Sequence, residues 1–308
     1  MSAGRRFPRG AGGIVDRARA ALFGVAVGDA LGATTEFMTP AEIRDRYGVL
    51  REIVGGGWLK LAPGQVTDDT EMTLCVARGI VRSGRWDLGP IADRFAQWLS
   101  GNPADVGTTC RRGIEEYMEK GRLEAPLDER GAGNGAAMRV APVALYALGD
   151  EELLSRLAVE QARITHHHPL SDAACVSVGT MIQRGLLGAP LPGLRAAAEE
   201  LAARHPEFNF EKYDGESSAY VVDTLRTVFD AFFSTGSFEE CVVKTVNRGG
   251  DADTAGSIVG AIAGARYGLA AIPQRWLQAL DPDLREELSA LGEELVRKSP
   301  LFTGASPR

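Results

Sequence analysis

The chain has 308 residues, of which 44% are apolar and 24% charged, a composition of soluble globular proteins and a length that allows one large domain or two ordinary ones. Its formal net charge of −7 excludes a broad nucleic-acid-binding face but not a local anion pocket. The four cysteines form no CxxC pair and each lies in an apolar periodic stretch, so buried thiols in a reducing cytosol are expected rather than disulfides or structural zinc.

Residues 1–13 carry Arg5, Arg6 and Arg9 with no apolar segment behind them, so they read as a floppy leader and not as a secretory signal. Apolar periodicity then predicts helices over 15–33, 71–83, 90–100, 108–120, 136–148, 151–164, 171–187, 193–204, 217–234, 237–247, 254–268 and 282–297. Residues 301–308 are left as a tail. Asp68 and Glu71 have the spacing of a capping box, Ser171 is placed to cap the helix after it, and Gly249 is placed to end one. No run alternates as a half-buried strand would; Ile53-Val54 is the best short exception and runs into Gly55-Gly56-Gly57. The longest apolar run, 255–265, is too short to span a bilayer. Without a linker or a repeat, the reading is one all-α domain over 14–300.

Two predicted helices share a pattern. Gly24, Gly28 and Gly32 lie at four-residue steps, and so do Gly256, Gly260 and Gly264. A glycine inside a helix costs about 1 kcal/mol relative to alanine, so a stripe of them needs a reason. Close backbone approach in a core is one such reason, and we expect the two helices to cross each other and bring their neighbouring acids together.

Those acids are the strongest chemical signal. Val66-Thr67-Asp68-Asp69-Thr70-Glu71 and Gly249-Gly250-Asp251-Ala252-Asp253-Thr254 each set carboxylates and a threonine before an apolar helix. Taken singly, each run is an ordinary helix start, where acids favour the dipole by about 0.3–1 kcal/mol. Taken together, they offer more hard oxygen atoms than capping needs, as one or two divalent cations such as Mg²⁺ or Mn²⁺ require. Glu36, between Thr35 and Phe37, is either a solvated loop residue, a further ligand or a base. The loop Gly131-Ala132-Gly133-Asn134-Gly135-Ala136-Ala137 is either a plain turn or a phosphate cradle with exposed N–H groups. Asp105 stands beside glycine and threonine and either caps a helix or recognises a guanidinium. Of His166-His167-His168, consecutive residues point in different directions, and one is expected to face a site.

With these motifs in view, the sequence resembles the ADP-ribosylglycohydrolase family. The likeness runs in one register from about residue 20 to about 280, through the Gly28 to Phe37 segment, Gly55 to Leu61, Gln65 to Met72, Asp105 to Gly113, Ala132 to Arg139, Ile164-Thr165-His166, Ala219 to Thr224, Val246 to Gly256 and Ile272-Pro273-Gln274-Arg275-Trp276-Leu277. The resemblance implies an all-α, orthogonally packed fold around two divalent metal ions, Mn²⁺ or Mg²⁺. It implies Thr67, Asp68, Asp69, Asp251, Asp253 and Thr254 as ligands, with Glu36 at or beside the metals. It implies an enzyme that removes ADP-ribose from an arginine of the nitrogenase iron protein, working in the cytoplasm as a monomer, with a PII signalling protein as a regulatory partner and neither nucleic acid nor membrane insertion. Asp105, Glu36 and Asp69 would then carry catalysis, and His166, Gly133, Asn134, Gly135 and Tyr220 would hold the ADP-ribosyl group. The chain departs from the relatives at His167-His168-Pro169, which leaves no role assigned to the two extra histidines.

Overall fold

The apolar segments form fifteen α-helices among residues 11–305, the part of the chain that the computed structural model describes. In order they are α1 (Ala11–Gly32), α2 (Pro40–Tyr47), α3 (Asp68–Ser83), α4 (Leu88–Ser100), α5 (Thr108–Lys120), α6 (Ala141–Tyr146), α7 (Glu151–Arg163), α8 (Pro169–Leu186), α9 (Leu191–Arg204), α10 (Val221–Phe233), α11 (Phe238–Val246), α12 (Ala252–Tyr267), α13 (Gln274–Ala279), α14 (Pro282–Arg297) and α15 (Pro300–Thr303). Among the described residues no strand occurs, only isolated bridges. Of the expected leader, residues 1–10 lie outside the described part and 11–13 already belong to α1; of the expected tail, 301–303 belong to α15 and 306–308 lie outside the described part.

Helices α1 and α12 form the centre. Every residue over 20–36 and over 252–265 is buried, so these stretches of the two helices are enclosed by others on all sides. Their glycine stripes face each other as expected. A methyl group on Gly28 would lie 2.0 Å from the carbonyl oxygen of Gly256, and one on Gly260 would lie 2.0 Å from that of Gly24. At Gly32 the same atom would meet the backbone of Ala252 and Asp253 at 2.4 and 2.5 Å. Backbone therefore lies on backbone along the whole crossing, and the ends of the two helices are brought together where Glu36 and Asp253 stand.

Four local expectations are corrected. The cap of α3 is Thr67, whose hydroxyl accepts from Asp69 N, so Asp68 is the first residue of the helix and not its cap. The cap of α8 is His168, whose ring accepts from Leu170 N; Ser171 sits inside the helix and donates to Gly133 O instead. The helix predicted over 136–148 begins only at Ala141, because Pro142 has no N–H for the preceding turn and suits a helix start. The helix predicted over 217–234 begins only at Val221, because bridges of Ser217 to Gly250 and of Tyr220 to Gly133 hold the preceding residues extended. Helix α2 went unpredicted although Thr39-Pro40-Ala41-Glu42 carries a full capping box with proline in the first turn. Gly249 does take the left-handed conformation after α11, with φ of 68°.

Candidate metal centre

Helix α3 starts under the control of a residue on α1. Asp29, fully buried, accepts from the N–H groups of Thr67 and Thr70 and from both of their hydroxyls. A carboxylate from another helix thus caps the α3 N-terminus and fixes the height of Asp68 and Asp69 against α1. Asp69 is tied in turn to α12: its Oδ1 accepts from Ser257 Oγ at 2.6 Å and its Oδ2 from Thr254 Oγ1 at 3.2 Å. The two acidic runs, 182 residues apart when Asp69 is counted against Asp251 (251 − 69), therefore meet directly.

The remaining acids close around this contact. One carboxylate oxygen from each of Glu36, Asp105 and Asp253 lies within 4.8 Å of the others. Glu36 is buried and its Oε2 accepts from Trp58 Nε1 at 2.5 Å. The turn that carries Trp58 is made of Gly55, Gly56 and Gly57, all at positive φ, and a side chain on Gly57 would strike the Ala33 carbonyl at 2.1 Å. Asp68 Oδ2 accepts from Gly107 N at 3.3 Å, which binds the 105–107 segment before α5 to α3, and Asp105 Oδ1 accepts from Val106 N. Asp251 is half-buried and accepts from Asn134 Nδ2 at 2.8 Å. The same amide also donates to Thr224 Oγ1, so Asn134 orients an acid of the cluster.

The electrostatics follow from burial without a counter-ion. Burial pushes the Glu36 carboxyl up to about 8, with repulsion from Asp251, Asp105 and Asp68 adding to it and the Trp58 hydrogen bond opposing it. Burial and the neighbouring Asp105 push Asp68 up to about 7. Asp29 rises to about 6 by burial, held back by its bonds from Thr70 and Thr67. Asp69 and Asp253 are driven well above the carboxylate range by burial, the first with Asp29 as its strongest repulsive neighbour and the second with Glu36. Asp105 is raised as well, chiefly by burial. The strongest charges acting on Glu36, Asp68, Asp69 and Asp253 are those of neighbouring carboxylates, Asp29, Asp105 and Asp251 among them. Carboxylates and threonine hydroxyls converging in this way fit a hard divalent cation, whose charge removes the repulsion. Cysteine is no competitor: burial pushes the nearby Cys110 thiol up to about 12.

A stability test follows. A carboxyl whose pKa is raised in the fold favours the protonated form there, so the folded state binds more protons than the unfolded chain. Chelated protein is therefore expected to be most stable below about pH 4 with respect to these groups and to lose that stability as pH rises from there toward 8. Mn²⁺ should reverse the loss, with a larger thermal shift at pH 8 than at pH 5. A shift that is equal at both values, or absent, would remove the metal from this site.

The other predicted residues are placed as follows. Gly133, Asn134 and Gly135 form the loop beside Asp251, and Ser171 Oγ donates to the Gly133 carbonyl. His166 is buried against that loop: methyl groups on Gly133 and Gly135 would lie 2.8 and 3.0 Å from its ring. Tyr220 is 42% exposed and paired with Gly133 through a backbone bridge. Of the extra histidines, His167 Nδ1 bonds the Ala125 carbonyl, and His168 caps α8. Sequence reasoning noted Asp29 only as a neighbour, took in Trp58 and Thr224 only as parts of the segments Gly55 to Leu61 and Ala219 to Thr224, and missed Ser257. Asp29 had a signal, the single charge in the apolar stretch over 20–33; the others had none, because their roles depend on contacts from distant segments.

A sequence profile of the ADP-ribosylglycohydrolase family matches residues 12–301. The chain is 51% identical over 273 residues, 89% of this chain and 93% of the relative, to the ADP-ribosyl-[dinitrogen reductase] glycohydrolase of Rhodospirillum rubrum. It is 32% identical over 306 residues, 93% of this chain and 80% of the relative, to the ADP-ribosylarginine hydrolase Tri1 of Serratia proteamaculans. A solved structure described as an ADP-ribosylglycohydrolase-related protein complex superposes with a TM-score of 0.83 at 38% identity, covering 93% of this chain and 99% of that one.

Proposed function

This chain belongs to the ADP-ribosylglycohydrolase family, and from that premise we propose that it is a metal-dependent hydrolase that frees an arginine side chain of a target protein from ADP-ribose. The proposed target is the iron protein of nitrogenase, dinitrogenase reductase, and the proposed cofactor is a pair of divalent ions, Mn²⁺ or Mg²⁺, held by Thr67, Asp68, Asp69, Asp251, Asp253 and Thr254 with Glu36. The observation that carries the reading is the meeting of Asp69 with Thr254 and Ser257 beside the cluster of Glu36, Asp105 and Asp253. No helix among the described residues is long and apolar enough to cross a membrane. The resemblance further supports a cytoplasmic monomer whose access to substrate is controlled by a PII protein, and gel filtration with and without that protein tests both points.

Hydrolysis breaks the bond from ribose C1″ to a guanidino nitrogen and forms one from C1″ to the oxygen of a water, whose proton ends on the guanidine, through an oxocarbenium-like transition state. Divalent ions, when bound, supply Lewis acidity and a template for the ribose hydroxyls. The chain's own residues do the rest. Asp105, at the more open edge of the cluster, accepts hydrogen bonds from the guanidinium and takes or returns its proton. Glu36, steadied by Trp58, is the second base in reach. Asp69 is fixed by Ser257 and Thr254 at the centre of the ligand set, so that its carboxylate needs no reorganisation during turnover. The loop at Gly133, Asn134 and Gly135 receives the diphosphate with His166, and the half-exposed ring of Tyr220 packs on adenine.

The deciding experiment is incubation with ADP-ribosylated iron protein, with and without Mn²⁺, followed by mass spectrometry. The expected result is Mn²⁺-dependent recovery of unmodified arginine and release of intact ADP-ribose. AMP as the product would identify a phosphohydrolase, and release only from a serine-linked peptide would reassign the linkage.

A further inference from the structure

The segment behind the glycine loop contains a buried hydrogen-bond chain that the acidic cluster does not use. Arg139 is fully buried and faces no carboxylate. It stacks over the Phe95 ring at 4.6 Å and donates to Gln161 Oε1, to the Gln161 carbonyl and to Thr165 Oγ1, the last at 2.8 Å. Thr165 Oγ1 in turn lies 2.7 Å from His166 Nδ1.

We propose that Arg139 and Thr165 are positioning residues that hold His166 as the neutral Nε2–H tautomer, so that its ring offers a fixed hydrogen-bond donor to a phosphate oxygen of the ADP-ribosyl group at the 133–135 loop. The proposal rests on the hydrolase reading for its ligand and on donor counting for the tautomer. Arginine has only donors, so Thr165 Oγ1 must accept from it. The threonine then has one proton to place. Among the described residues its one acceptor in reach is His166 Nδ1. Were Nδ1 protonated instead, the buried threonine would face two donors and leave its own proton without an acceptor. The proton of the neutral ring is thereby assigned to Nε2. Burial, with Arg139 and Arg112 beside it, pushes His166 down to about 3, so the ring stays neutral at working pH.

The donor this creates has no partner of its own. His166 is only 2% exposed, yet its Nε2 has no bond to any described residue and is not one of the fully enclosed orphan atoms. It therefore reaches open space beside the loop, 2.8 Å from where a side chain on Gly133 would begin. The backbone N–H groups of Gly135 and Ala136 likewise have no acceptor among the described residues. Two unspent donors on the loop and a third facing it match the acceptor-only chemistry of a phosphate group. A neutral donor also recognises phosphate without placing a second cation beside buried Arg139.

The test uses the full chain with ¹⁵N-labelled histidine, metal-free and loaded with diamagnetic Mg²⁺. With four histidines, nitrogen–proton correlation spectra distinguish the tautomers residue by residue. Wild type and Thr165→Ser should show His166 protonated at Nε2 only. Thr165→Val should show the other tautomer or a mixture, with ADP-ribose binding about 3- to 10-fold weaker, the loss expected of one neutral hydrogen bond, and unchanged Mg²⁺ affinity. A wild-type His166 found as Nδ1–H or as imidazolium at pH 7 overturns the proposal, and so does Thr165→Val with unaltered tautomer and affinity. Should the valine variant fail to fold, the wild-type spectrum, and the change at His166 Nε2–H when ADP-ribose is added, still decide. Wild type that binds ADP-ribose with this tautomer but leaves arginine-linked substrate intact would sink the hydrolase reading and not this one.

Discussion

Asp253→Asn is expected to abolish turnover and Mn²⁺-dependent stabilisation while making the chelated protein more stable. The two signs have one cause. Asp253 is buried, accepts only from the N–H of its neighbour Thr254, and sits against Glu36 and Asp69 with no cation to offset them. Its charge is a cost to the metal-free fold, and an amide of the same shape removes it; relief of one such buried acid is worth about 1 kcal/mol or more. The same change deletes a ligand. Since altering groups that merely orient ligands costs about 10- to 100-fold, turnover should fall at least about 100-fold. Asp69→Asn should match it in activity but not in stability, because Asp69 also joins α3 to α12 through Ser257 and Thr254. Thermal unfolding of chelated and Mn²⁺-loaded protein, read beside turnover, checks all of this. Normal activity in Asp253→Asn, or a metal-induced thermal shift equal to that of wild type, would sink the metal centre.

The second large effect comes from a residue with no side chain. Gly28→Ala should destabilise by about 3 kcal/mol or more, although alanine is the better helix former by about 1 kcal/mol. The new methyl would begin 2.0 Å from the Gly256 carbonyl oxygen, and that neighbour is backbone of a helix buried on all sides, so it has no rotamer by which to yield. Asp29 follows Gly28 directly, and Asp251 and Asp253 lead into the partner helix. Separation of the helices should therefore weaken Mn²⁺ binding as well as stability. Gly13→Ala is the internal control: it lies in the same helix with nothing within 4 Å of the new atom, so it should be neutral or mildly stabilising. Denaturant unfolding of the two variants checks the claim, and a Gly28→Ala protein within about 0.5 kcal/mol of wild type would refute backbone contact at the crossing.

The stripes, the two acidic runs and most helix bodies are written in local sequence. Helical periodicity and a four-residue glycine step express the shape of a single helix, and adjacent carboxylates express the chemistry of a single turn. These features determined an all-α chain, a close helix pair and a hard-oxygen site without reference to anything distant. What the sequence left open were relations between segments. Whether Thr67 or Asp68 caps α3 was decided by Asp29 reaching across from α1. Whether residues 217–220 are helical was decided by the chains beside them. Trp58 meets Glu36, Asn134 meets Asp251, and Arg139 reaches His166 through Thr165 only once the helices are packed. A hydrogen bond between side chains distant in sequence leaves no periodic trace along the chain, because its geometry is set by the core that carries both partners. Only the tertiary structure could bring Glu36, Asp105 and Asp253 within 4.8 Å of one another and set Arg139 behind His166 through Thr165.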